Sequence, residues 1–430
     1  MARFAFAAFG SLGDLYPLLT VARTLAERGH DVRMITHIGH HERVARAGLT
    51  ALPLRPDISD LGPDPREVLR RAMDPWTGTD YVLRHMTLPW LRRTTEDVLA
   101  GASGAEVLVA GTLVLGAPSV AERLRIPLVP VALQPVTMLS GWDPGVVAPF
   151  TWPPVRALAP WPGRILWGGM RLLGDAMLGD LRRLRREWGL RAATRAFLAF
   201  PPDAPLVLAL FSRHFAAPQP DWPRTTIATG FPFHDEDGDA GLAPALRAFL
   251  DAGEPPVAFT LGSSAVWVPG DFHVLAARAA ARLGVRAVML VGDEPGPLPD
   301  PVPDGVHVAA YAPHAALFAR ARAIVHQAGI GTTAQALRSG RPTVLVPYSH
   351  DQPDNAARVA RIGAGVVVPR ARLTEAALAA ALDRVLRDAA IHAAAARIGG
   401  AIRAEDGAAT AADALERLTS GRMQPVAAAT

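Results

Sequence analysis

The sequence predicts an α/β protein with two doubly wound domains, each built on a parallel β-sheet. Between Arg3 and Phe211, short apolar runs such as RFAFAAF, DVRMIT, EVLVA and LVLALF alternate with longer amphipathic stretches. The alternation begins again at Pro256 with PVAFTL, RAVMLV, VHVAAY, RAIVH and TVLVP. Apolar runs that alternate with helix-length segments are typical of βαβ units, whose parallel strands are buried on both faces.

The domain boundaries follow from length and from one break in the pattern. A chain of 430 residues is long enough for two domains. The run GFPFHDEDGDAGLAP has no apolar periodicity and is rich in Gly, Pro and acidic residues. We therefore predict an N-terminal domain over 1–230, a linker over 231–244 and a C-terminal domain over 245–400. A C-terminal helix over 401–420 is expected to pack across the domains, and 421–430 form a loose tail.

Composition excludes several classes of protein. Half of the residues are apolar, which indicates a globular chain, and the formal net charge of +4 is too small to predict a nucleic-acid partner. The absence of Cys excludes disulfides and thiolate metal sites. The first residues fail as a signal peptide and no apolar run is long enough for a membrane span. We expect a cytoplasmic protein, with peripheral contact to the inner face of the membrane left open.

The second domain carries a polar, Gly-rich turn in RAIVHQAGIGTTAQALRSG, between a predicted strand and a predicted helix. Gly329 and Gly331 let the backbone approach a ligand, and free N–H groups at the helix start suit a phosphate. The hydroxyls of Thr332 and Thr333 and the ring of His326 can donate to the same anion. Taken alone, such a turn is equally consistent with a purely steric use of glycine.

The following turn, VPYSHDQPDNAARV, strengthens the prediction. Asp351, Gln352 and Asn355 follow the next strand, at the end of the sheet where open α/β proteins bind ligands. A carboxylate beside an amide suits sugar hydroxyls, because these groups accept from and donate to neighbouring OH groups. Asn355 is the only Asn in the chain, which hints at a specific requirement, although an ordinary role at a helix start explains it equally well.

The first domain opens with a similar turn, GSLGDLYPLLTVARTLAERGHDV. Gly10 and Gly13 resemble part of the dinucleotide-binding fingerprint, but its third Gly and its acidic residue are missing. A tight turn alone is the simplest alternative. Asp14 is either a helix N-cap or a carboxylate that faces a ligand.

These motifs resemble the family 1 glycosyltransferases, which have the two-domain GT-B fold. The run from His326 to Val359 is similar to the bacterial branch that contains rhamnolipid rhamnosyltransferases, sterol glucosyltransferases and antibiotic glycosyltransferases. GSxGDxxP is the first-turn motif of the same branch, and the resemblance extends over nearly the whole chain. It implies an inverting enzyme that moves a hexose or 6-deoxyhexose from a UDP- or dTDP-sugar to a hydroxyl of an apolar small molecule or lipid.

The resemblance also implies roles for single residues. Asp14 would be the general base, with Leu12, Gly13 and His37 on the acceptor side. The donor diphosphate would be held by His326, Gly329, Gly331, Thr332, Thr333, Ser263 and Ser264. Asp351 and Gln352 would bind the donor sugar, and Tyr311, Ala312, His314 and Gln335 the nucleoside. At its ordinary pKa of about 3.9, Asp14 would be ionised at neutral pH and able to accept a proton late in the displacement.

Gln335 departs from the family pattern. Many UDP-sugar enzymes carry a Glu at this position, where the carboxylate grips both ribose hydroxyls. An amide offers one acceptor oxygen instead of two, so the bidentate grip is lost. A deoxyribose would miss it less, and the donor therefore stays open between UDP-glucose and a dTDP-6-deoxysugar.

No cofactor is expected beyond the nucleotide-sugar, which is a co-substrate. His37, His40 and His41 have poor spacing for a metal site, and the acidic run Asp235 to Asp239 is expected to be solvated linker. Two segments, about 65–100 and 140–200, break the βαβ rhythm and carry seven Trp residues. They are expected to build an apolar surface, although most of these side chains could simply pack their own helices.

Two other functions remain open on this fold. A nucleotide-sugar epimerase would need no acceptor, and the Asp351 and Gln352 pair argues against it. A non-catalytic partner that binds sugar nucleotides would show no turnover, and the presence of Asp14 argues against it.

Overall fold

The fold consists of two parallel sheets in one chain. The structure is a computed structural model that describes residues 1–146, 160–192, 200–201, 204–235 and 241–421. The N-terminal strands are β1 Arg3–Ala7, β2 Asp31–Thr36, β3 Thr50–Pro53, β4 Val107–Gly111, β5 Leu128–Ala132, β6 Val207–Ala209 and β7 Thr226–Ala228. The C-terminal strands are β8 Val257–Thr260, β9 Ala287–Leu290, β10 Val306–Ala309, β11 Ala323–His326, β12 Thr343–Leu345 and β13 Gly365–Val367.

The helices alternate with these strands. Those of the N-terminal half are α1 Leu12–Glu27, α2 His41–Arg46, α3 Pro65–Ala72, α4 Gly78–Tyr81, α5 Leu91–Gly101, α6 Ala117–Leu124, α7 Pro160–Met177 and α8 Gly179–Glu187. Those of the C-terminal half are α9 Pro244–Asp251, α10 Gly262–Ala265, α11 Phe272–Leu283, α12 His314–Arg320, α13 Ile330–Ser339, α14 Gln352–Arg361, α15 Glu375–Arg387, α16 Ala389–Arg403 and α17 Gly407–Thr419.

Strand order places the ligand-binding edges. The first sheet runs β3-β2-β1-β4-β5-β6-β7 and the second β10-β9-β8-β11-β12-β13, with the described pairs parallel. The order reverses between β1 and β4 in one sheet and between β8 and β11 in the other. Such a reversal opens a crevice at the carboxyl ends of the strands. The turns after β1, β8 and β11 lie at these two crevices.

Burial explains why the central strands were visible in the sequence. Phe4 and Phe6 of β1 and Val109 of β4 are fully or almost fully buried, as parallel strands covered on both faces must be. The short edge strands β3, β7 and β13 were not predicted. They contribute only four, three and three residues, and most of these are half-buried or exposed, so no apolar run marks them.

The end of the chain returns to the first domain. Helix α16 packs against α13, and α17 packs against α1 with Ala411 and Leu415 in the N-terminal core. Arg28, which directly follows α1, forms ion pairs with Asp413 at 2.7 Å and Glu416 at 2.8 Å. The predicted boundary at residue 400 lies inside α16, and the helix that crosses back to the first domain begins at Gly407.

The two irregular segments of the first domain form helices α3 to α5 and α7 to α8. Their Trp residues divide between surface and core: Trp76, Trp142 and Trp161 are exposed, Trp90 and Trp188 half-buried, and Trp167 buried. Trp152 lies outside the described residues. Helix α7 also exposes Ile165, Leu166, Leu172 and Leu173. In the described part of the chain, no helix combines the length and apolar character that a membrane span requires.

Candidate active site

The turn after β1 holds the carboxylate of Asp14 at the start of α1. Gly10 has a φ of +129°, and a Cβ built there would lie 2.4 Å from Asp14 Oδ2, so only glycine fits. Ser11 caps the helix and donates to Asp14 Oδ2 from its N–H at 2.9 Å and its hydroxyl at 3.1 Å. The N-cap is thus Ser11, and the prediction of Asp14 as the N-cap is wrong: Asp14 is the third helical residue and completes a capping box with Ser11. The box fixes one carboxylate oxygen of Asp14.

Burial changes the proton affinity of Asp14. Loss of water around the carboxylate raises the pKa of Asp14 to about 6, against the opposing hydrogen bonds from Ser11 and Gln134. The sequence predicted an ordinary acid, and the structure gives a stronger base with a pKa nearer neutrality. Asp14 also borders a small cavity whose other walls are Ala8, Phe9, Leu18, Gly111, Thr112, Leu113 and Leu133. A carboxylate of this kind can accept a proton from a hydroxyl.

His37 supports the turn. Its Nε2 accepts a hydrogen bond from the Gly10 N–H at 3.0 Å, and His40 contacts the Gly10 carbonyl at 3.2 Å. The ring of His37 therefore fixes the Gly10 backbone, whereas the sequence placed it at the acceptor. Leu12 and Gly13, also expected on the acceptor side, are half-buried in the first turn of α1. Among the described residues, no three His, Asp or Glu side chains converge as a metal site would require.

His326 ends β11 with a neutral, fully buried ring. The N–H of Ala328 donates to Nδ1 at 3.1 Å, which assigns the ring proton to Nε2. Burial and the neighbouring charge of His314 lower the pKa of His326 to about 3. Nε2 is buried and has no hydrogen-bond partner in the described part of the protein. Its N–H is thus available to donate to an anion.

The start of α13 lies beside this ring. No side chain caps the helix at Gly329, so its first N–H groups remain available and carry the positive end of the helix dipole. A Cβ at Gly331 would meet no atom within 4 Å, which leaves open space for a ligand. Thr332 and Thr333 are buried in the first turn, and Thr333 Oγ has no partner among the residues described. These groups together suit a diphosphate.

Gln327 connects this turn to the one after β8, a role that sequence analysis did not foresee. A Cβ at Gly262, whose φ is +64°, would lie 2.1 Å from Gln327 Nε2, and the same nitrogen lies 3.5 Å from Thr332 Oγ. Ser263 and Ser264, which follow in α10, are exposed and half-buried. The two glycine-containing turns therefore lie side by side at the reversal between β8 and β11.

The turn after β12 carries Asp351 and Gln352 in different settings. Asp351 Oδ2 accepts a hydrogen bond from Asn355 Nδ2 at 2.6 Å. Gln352 Oε1 accepts from the backbone N–H of Tyr348 at 2.8 Å and of Ser349 at 3.3 Å. The amide oxygen predicted to bind a sugar is thus used to close the loop, because it satisfies two buried N–H groups. Only the N–H side of Gln352 remains for a ligand.

Asp14 and Asp351 lie near each other across the cleft between the two sheets. Burial raises the pKa of Asp351 to about 7, the hydrogen bond from Asn355 opposes the rise, and the charge of Asp14 adds to it. A negative charge at Asp14 is therefore near enough to disfavour ionisation of Asp351. The turn of the first domain and the turn of the second therefore form one site.

Three of the residues predicted to bind the nucleoside, Tyr311, Ala312 and His314, follow the edge strand β10 of the second sheet. Tyr311 lies two residues beyond β10 and is 60% exposed, so its ring surface can receive a base. Ala312 is buried, and the His314 ring stacks on Phe318 with centroids 4.7 Å apart. Burial lowers the pKa of His314 to about 4.

Gln335 is held by two neighbours. Its Nε2 donates to Asp235 Oδ1 at 3.3 Å, and its Oε1 accepts from Arg338 at 2.8 Å. Arg338 also pairs with Asp235 at 2.6 Å. Asp235 is exposed, as expected for a solvated linker, and its pair with Arg338 also joins the linker to α13. The remaining acids of that run lie outside the described residues.

Comparison with known proteins agrees with this geometry. Residues 4–139 match the model for the glycosyltransferase family 28 N-terminal domain, and residues 275–418 match that for the C-terminal domain of erythromycin biosynthesis protein CIII-like proteins. The chain is 32% identical over 440 residues to an O-mycaminosyltylonolide 6-deoxyallosyltransferase of Streptomyces fradiae, covering 98% of both chains. It is 31% identical to a vancomycin aglycone glucosyltransferase of Amycolatopsis orientalis, covering 95% of this chain and 96% of that one.

The chain belongs to the GT-B glycosyltransferases. The solved structure of the kitacinnamycin glycotransferase superposes on it with a TM-score of 0.73 at 21% identity, over 97% of this chain and 98% of that one. The predicted GT-B fold and the family resemblance are thereby confirmed. Since the relatives are named glycosyltransferases, the enzyme is a transferase, and neither the epimerase nor the non-catalytic alternative is retained.

Proposed function

We propose that this glycosyltransferase moves a hexose or 6-deoxyhexose from a nucleoside diphosphate to a hydroxyl of an apolar small molecule or lipid, with inversion at the anomeric carbon. The observation that carries the proposal is that Asp14 of the first domain lies close enough to Asp351 of the second for its charge to raise the pKa of Asp351. One domain supplies a base, and the other supplies a carboxylate beside an anion-binding helix start.

The leaving group is a nucleoside diphosphate. The uncapped N–H groups of α13, the Nε2–H of His326 and the Thr333 hydroxyl would bind its phosphate oxygens. As the bond between the anomeric carbon and the phosphate oxygen breaks, negative charge grows on the diphosphate. Donors fixed before the reaction stabilise that charge without having to reorganise.

The acceptor hydroxyl attacks the anomeric carbon from the side of Asp14. The new carbon–oxygen bond forms as the bond to phosphate breaks, and the hydroxyl proton passes to the Asp14 carboxylate. Attack on the face opposite the leaving group inverts the configuration. A base with a pKa of about 6 is mostly ionised at neutral pH, and it accepts a proton more readily than an ordinary Asp would.

The setting of Gln335 supports a thymidine nucleotide. Its amide oxygen already accepts from Arg338 and its amide nitrogen donates to Asp235, so the side chain has little left to offer a ribose diol. A 2′-deoxyribose, which has no 2′-hydroxyl, loses fewer hydrogen bonds than a ribose when Gln335 cannot bind the diol. A structural relative, the glycosyltransferase VinC, was solved in complex with DTDP. We therefore favour a dTDP-sugar over a UDP-sugar.

The surroundings of Asp14 support an apolar acceptor. Apolar side chains such as Phe9 and Leu18 lie beside the carboxylate, around a cavity of about the size of one water molecule. Helix α7 packs on the segment that follows Gln134, where Trp167 Nε1 donates to the Ser140 carbonyl at 3.1 Å. The same helix exposes a further apolar surface. Among the relatives, one is named as a vancomycin aglycone glucosyltransferase and others as sterol 3-beta-glucosyltransferases. The match to a sterol 3-beta-glucosyltransferase of Aspergillus fumigatus covers 29% of the length of that protein.

A donor and acceptor panel tests the proposal. The enzyme is incubated with dTDP- and UDP-linked glucose and with dTDP-rhamnose, against phenolic, sterol and hydroxy-fatty-acid acceptors, and products are detected by mass spectrometry. We expect transfer that requires an acceptor, faster with a dTDP-sugar, and an anomeric configuration in the product opposite to that of the donor. Isomerisation of the donor in the absence of acceptor, or retention in the product, would contradict the proposal.

A further inference from the structure

Asn355 joins the two ligand-facing turns of the second domain. It is fully buried in α14, and its Nδ2 donates to the Ala328 carbonyl at 2.9 Å and to Asp351 Oδ2 at 2.6 Å. Ala328 belongs to the turn after β11, and Asp351 to the turn after β12. A single amide nitrogen therefore holds groups that arrive from two different strands.

The orientation of this amide is set by its partners. Both partner atoms are oxygens, a carbonyl and a carboxylate, so the NH₂ group must face them. The amide oxygen is turned away, and it is buried with no partner among the described residues. A buried acceptor without a hydrogen bond lowers the stability of the fold. The contribution of Asn355 to the site therefore lies in the two bonds that its amide nitrogen makes.

The contact to Ala328 supports an unusual backbone. Ala328 has a φ of +68°, a left-handed conformation that a side chain with a Cβ disfavours. Its N–H is the group that donates to Nδ1 of His326, and its carbonyl is the group that Asn355 holds. A continuous chain of hydrogen bonds thus runs from the His326 ring through Ala328 and Asn355 to the Asp351 carboxylate.

We infer that Asn355 is a positioning residue, which fixes the ring of His326 and the carboxylate of Asp351 relative to each other so that diphosphate and sugar are bound together. The inference rests on the proposed function, since it assigns those two groups to the donor. Neither a carboxylate nor a methyl group can replace the amide. An Asp would place a second carboxylate in direct contact with Asp351, and an Ala would leave the carbonyl and the carboxylate without their donor.

Two variants and one control test the inference. Asn355→Ala removes both bonds, and Asn355→Asp keeps the shape while replacing the donor by an acceptor. Val359→Ala is the control, because Val359 is fully buried in the same helix and lies in the apolar core. For each folded variant, calorimetry gives the affinity for dTDP, UDP and the sugar nucleotide, thermal unfolding gives the stability, and steady-state assays give the pH profile.

Asn355→Ala is expected to weaken binding of the sugar nucleotide about tenfold or more. It should also move the acid limb of the kcat/KM profile to higher pH, because loss of the Asn355 donor raises the pKa of Asp351 further. Asn355→Asp should lose more affinity than Asn355→Ala at pH 8, where like charges face each other. Val359→Ala should lower the melting temperature and leave affinity and pH profile as in the wild type.

Wild-type affinity and pH profile in folded Asn355→Ala would overturn the inference, as would a loss that Val359→Ala reproduces. If Asn355→Ala does not fold, the isosteric variant Asn355→Asp provides the test. Wild-type affinity of Asn355→Asp for the sugar nucleotide at pH 8 would then overturn the inference. Wild-type protein that binds neither dTDP nor UDP would instead overturn the proposed function, and the inference with it. Wild-type protein that binds while Asn355→Ala binds equally well would overturn the inference alone.

Discussion

The guanidinium of Arg358 on α14 forms a buried ion pair with the carboxylate of Asp143, which belongs to the first domain. Arg358 Nε also donates to Asp354 at 2.7 Å, and Asp354 accepts from the Val146 N–H at 3.1 Å. Arg358 is 1% exposed and Asp143 5%. Because α14 begins directly after Asp351, this pair sets the distance between the donor loop and the segment that follows Gln134.

Breaking that pair should be costly. Arg358→Ala leaves Asp354 buried without its cation and Asp143 with the more distant guanidinium of Arg361 at 3.9 Å, and we expect a loss of about 3–5 kcal/mol in stability. The matched control is Arg92→Ala, whose partner Glu187 is 53% exposed and whose loss should have a much smaller effect because water screens the pair. Thermal and denaturant unfolding of both variants provide the test. Equal, small effects would show that the Asp143 contact does not hold the domains together.

Asp14 should destabilise the folded protein at neutral pH. Its pKa of about 6 lies above the value of 3.8 for the unfolded chain, so the folded state holds the proton more tightly. The stability that protonated Asp14 contributes is therefore present below pH 4 and is lost as pH rises through 6. Asp14→Asn keeps an acceptor for Ser11 and should be more stable than wild type at pH 7.5, by about 1–3 kcal/mol, but not at pH 4. Unfolding curves of Asp14→Asn and the wild type at both pH values check this prediction. The same difference in stability between the two proteins at pH 4 and pH 7.5 would refute it.

The ring of His326 should contribute to diphosphate affinity. His326→Ala removes the only donor that this ring offers, and we expect dTDP to bind about tenfold or more weakly, as measured by calorimetry. His273→Ala is the control, because His273 is also fully buried in the second domain with its pKa lowered to about 4 by burial. Both variants should lose stability, but only His326→Ala should lose affinity. Unchanged dTDP binding in His326→Ala would remove its phosphate role.

The side chain at Gln335 should influence nucleotide choice. Gln335→Glu restores a carboxylate that can accept from both ribose hydroxyls, and Arg338 lies beside both this carboxylate and Asp235 to balance their charges. We expect the ratio of UDP to dTDP affinity to rise about threefold to tenfold. Competition binding with the two nucleotides measures that ratio. An unchanged ratio of UDP to dTDP affinity would show that residue 335 does not determine which nucleotide is bound.

Much of the fold could be read from the sequence, for a physical reason. Strands buried on both faces must be apolar almost throughout, so β1, β4, β8 and β11 are visible as runs of Val, Ile, Leu, Ala and Phe. The turns could be predicted because a position with no room for a Cβ requires glycine. Gly10 is an example, since Asp14 occupies the space that a Cβ would need. The edge strands β3, β7 and β13 carried neither signal, whereas the edge strand β10 was predicted from the run VHVAAY.

The contacts between turns could not be predicted. Nothing local shows that the Gln352 oxygen is used by Tyr348, or that Arg358 would meet a carboxylate 215 residues away. Asn355 was the partial exception, since its isolation in the composition pointed to a requirement that the structure explains through Ala328 and Asp351.

The central claim is that Asp14 accepts the acceptor proton. The most direct measurement is the rate of sugar transfer by Asp14→Asn, with dTDP affinity measured on the same sample. We expect the rate to fall by about 10²–10⁴ with affinity unchanged, because the amide still accepts from Ser11 but cannot take a proton. In the wild type, the rate should fall as pH drops through about 6. Transfer by Asp14→Asn at the wild-type rate would contradict the account.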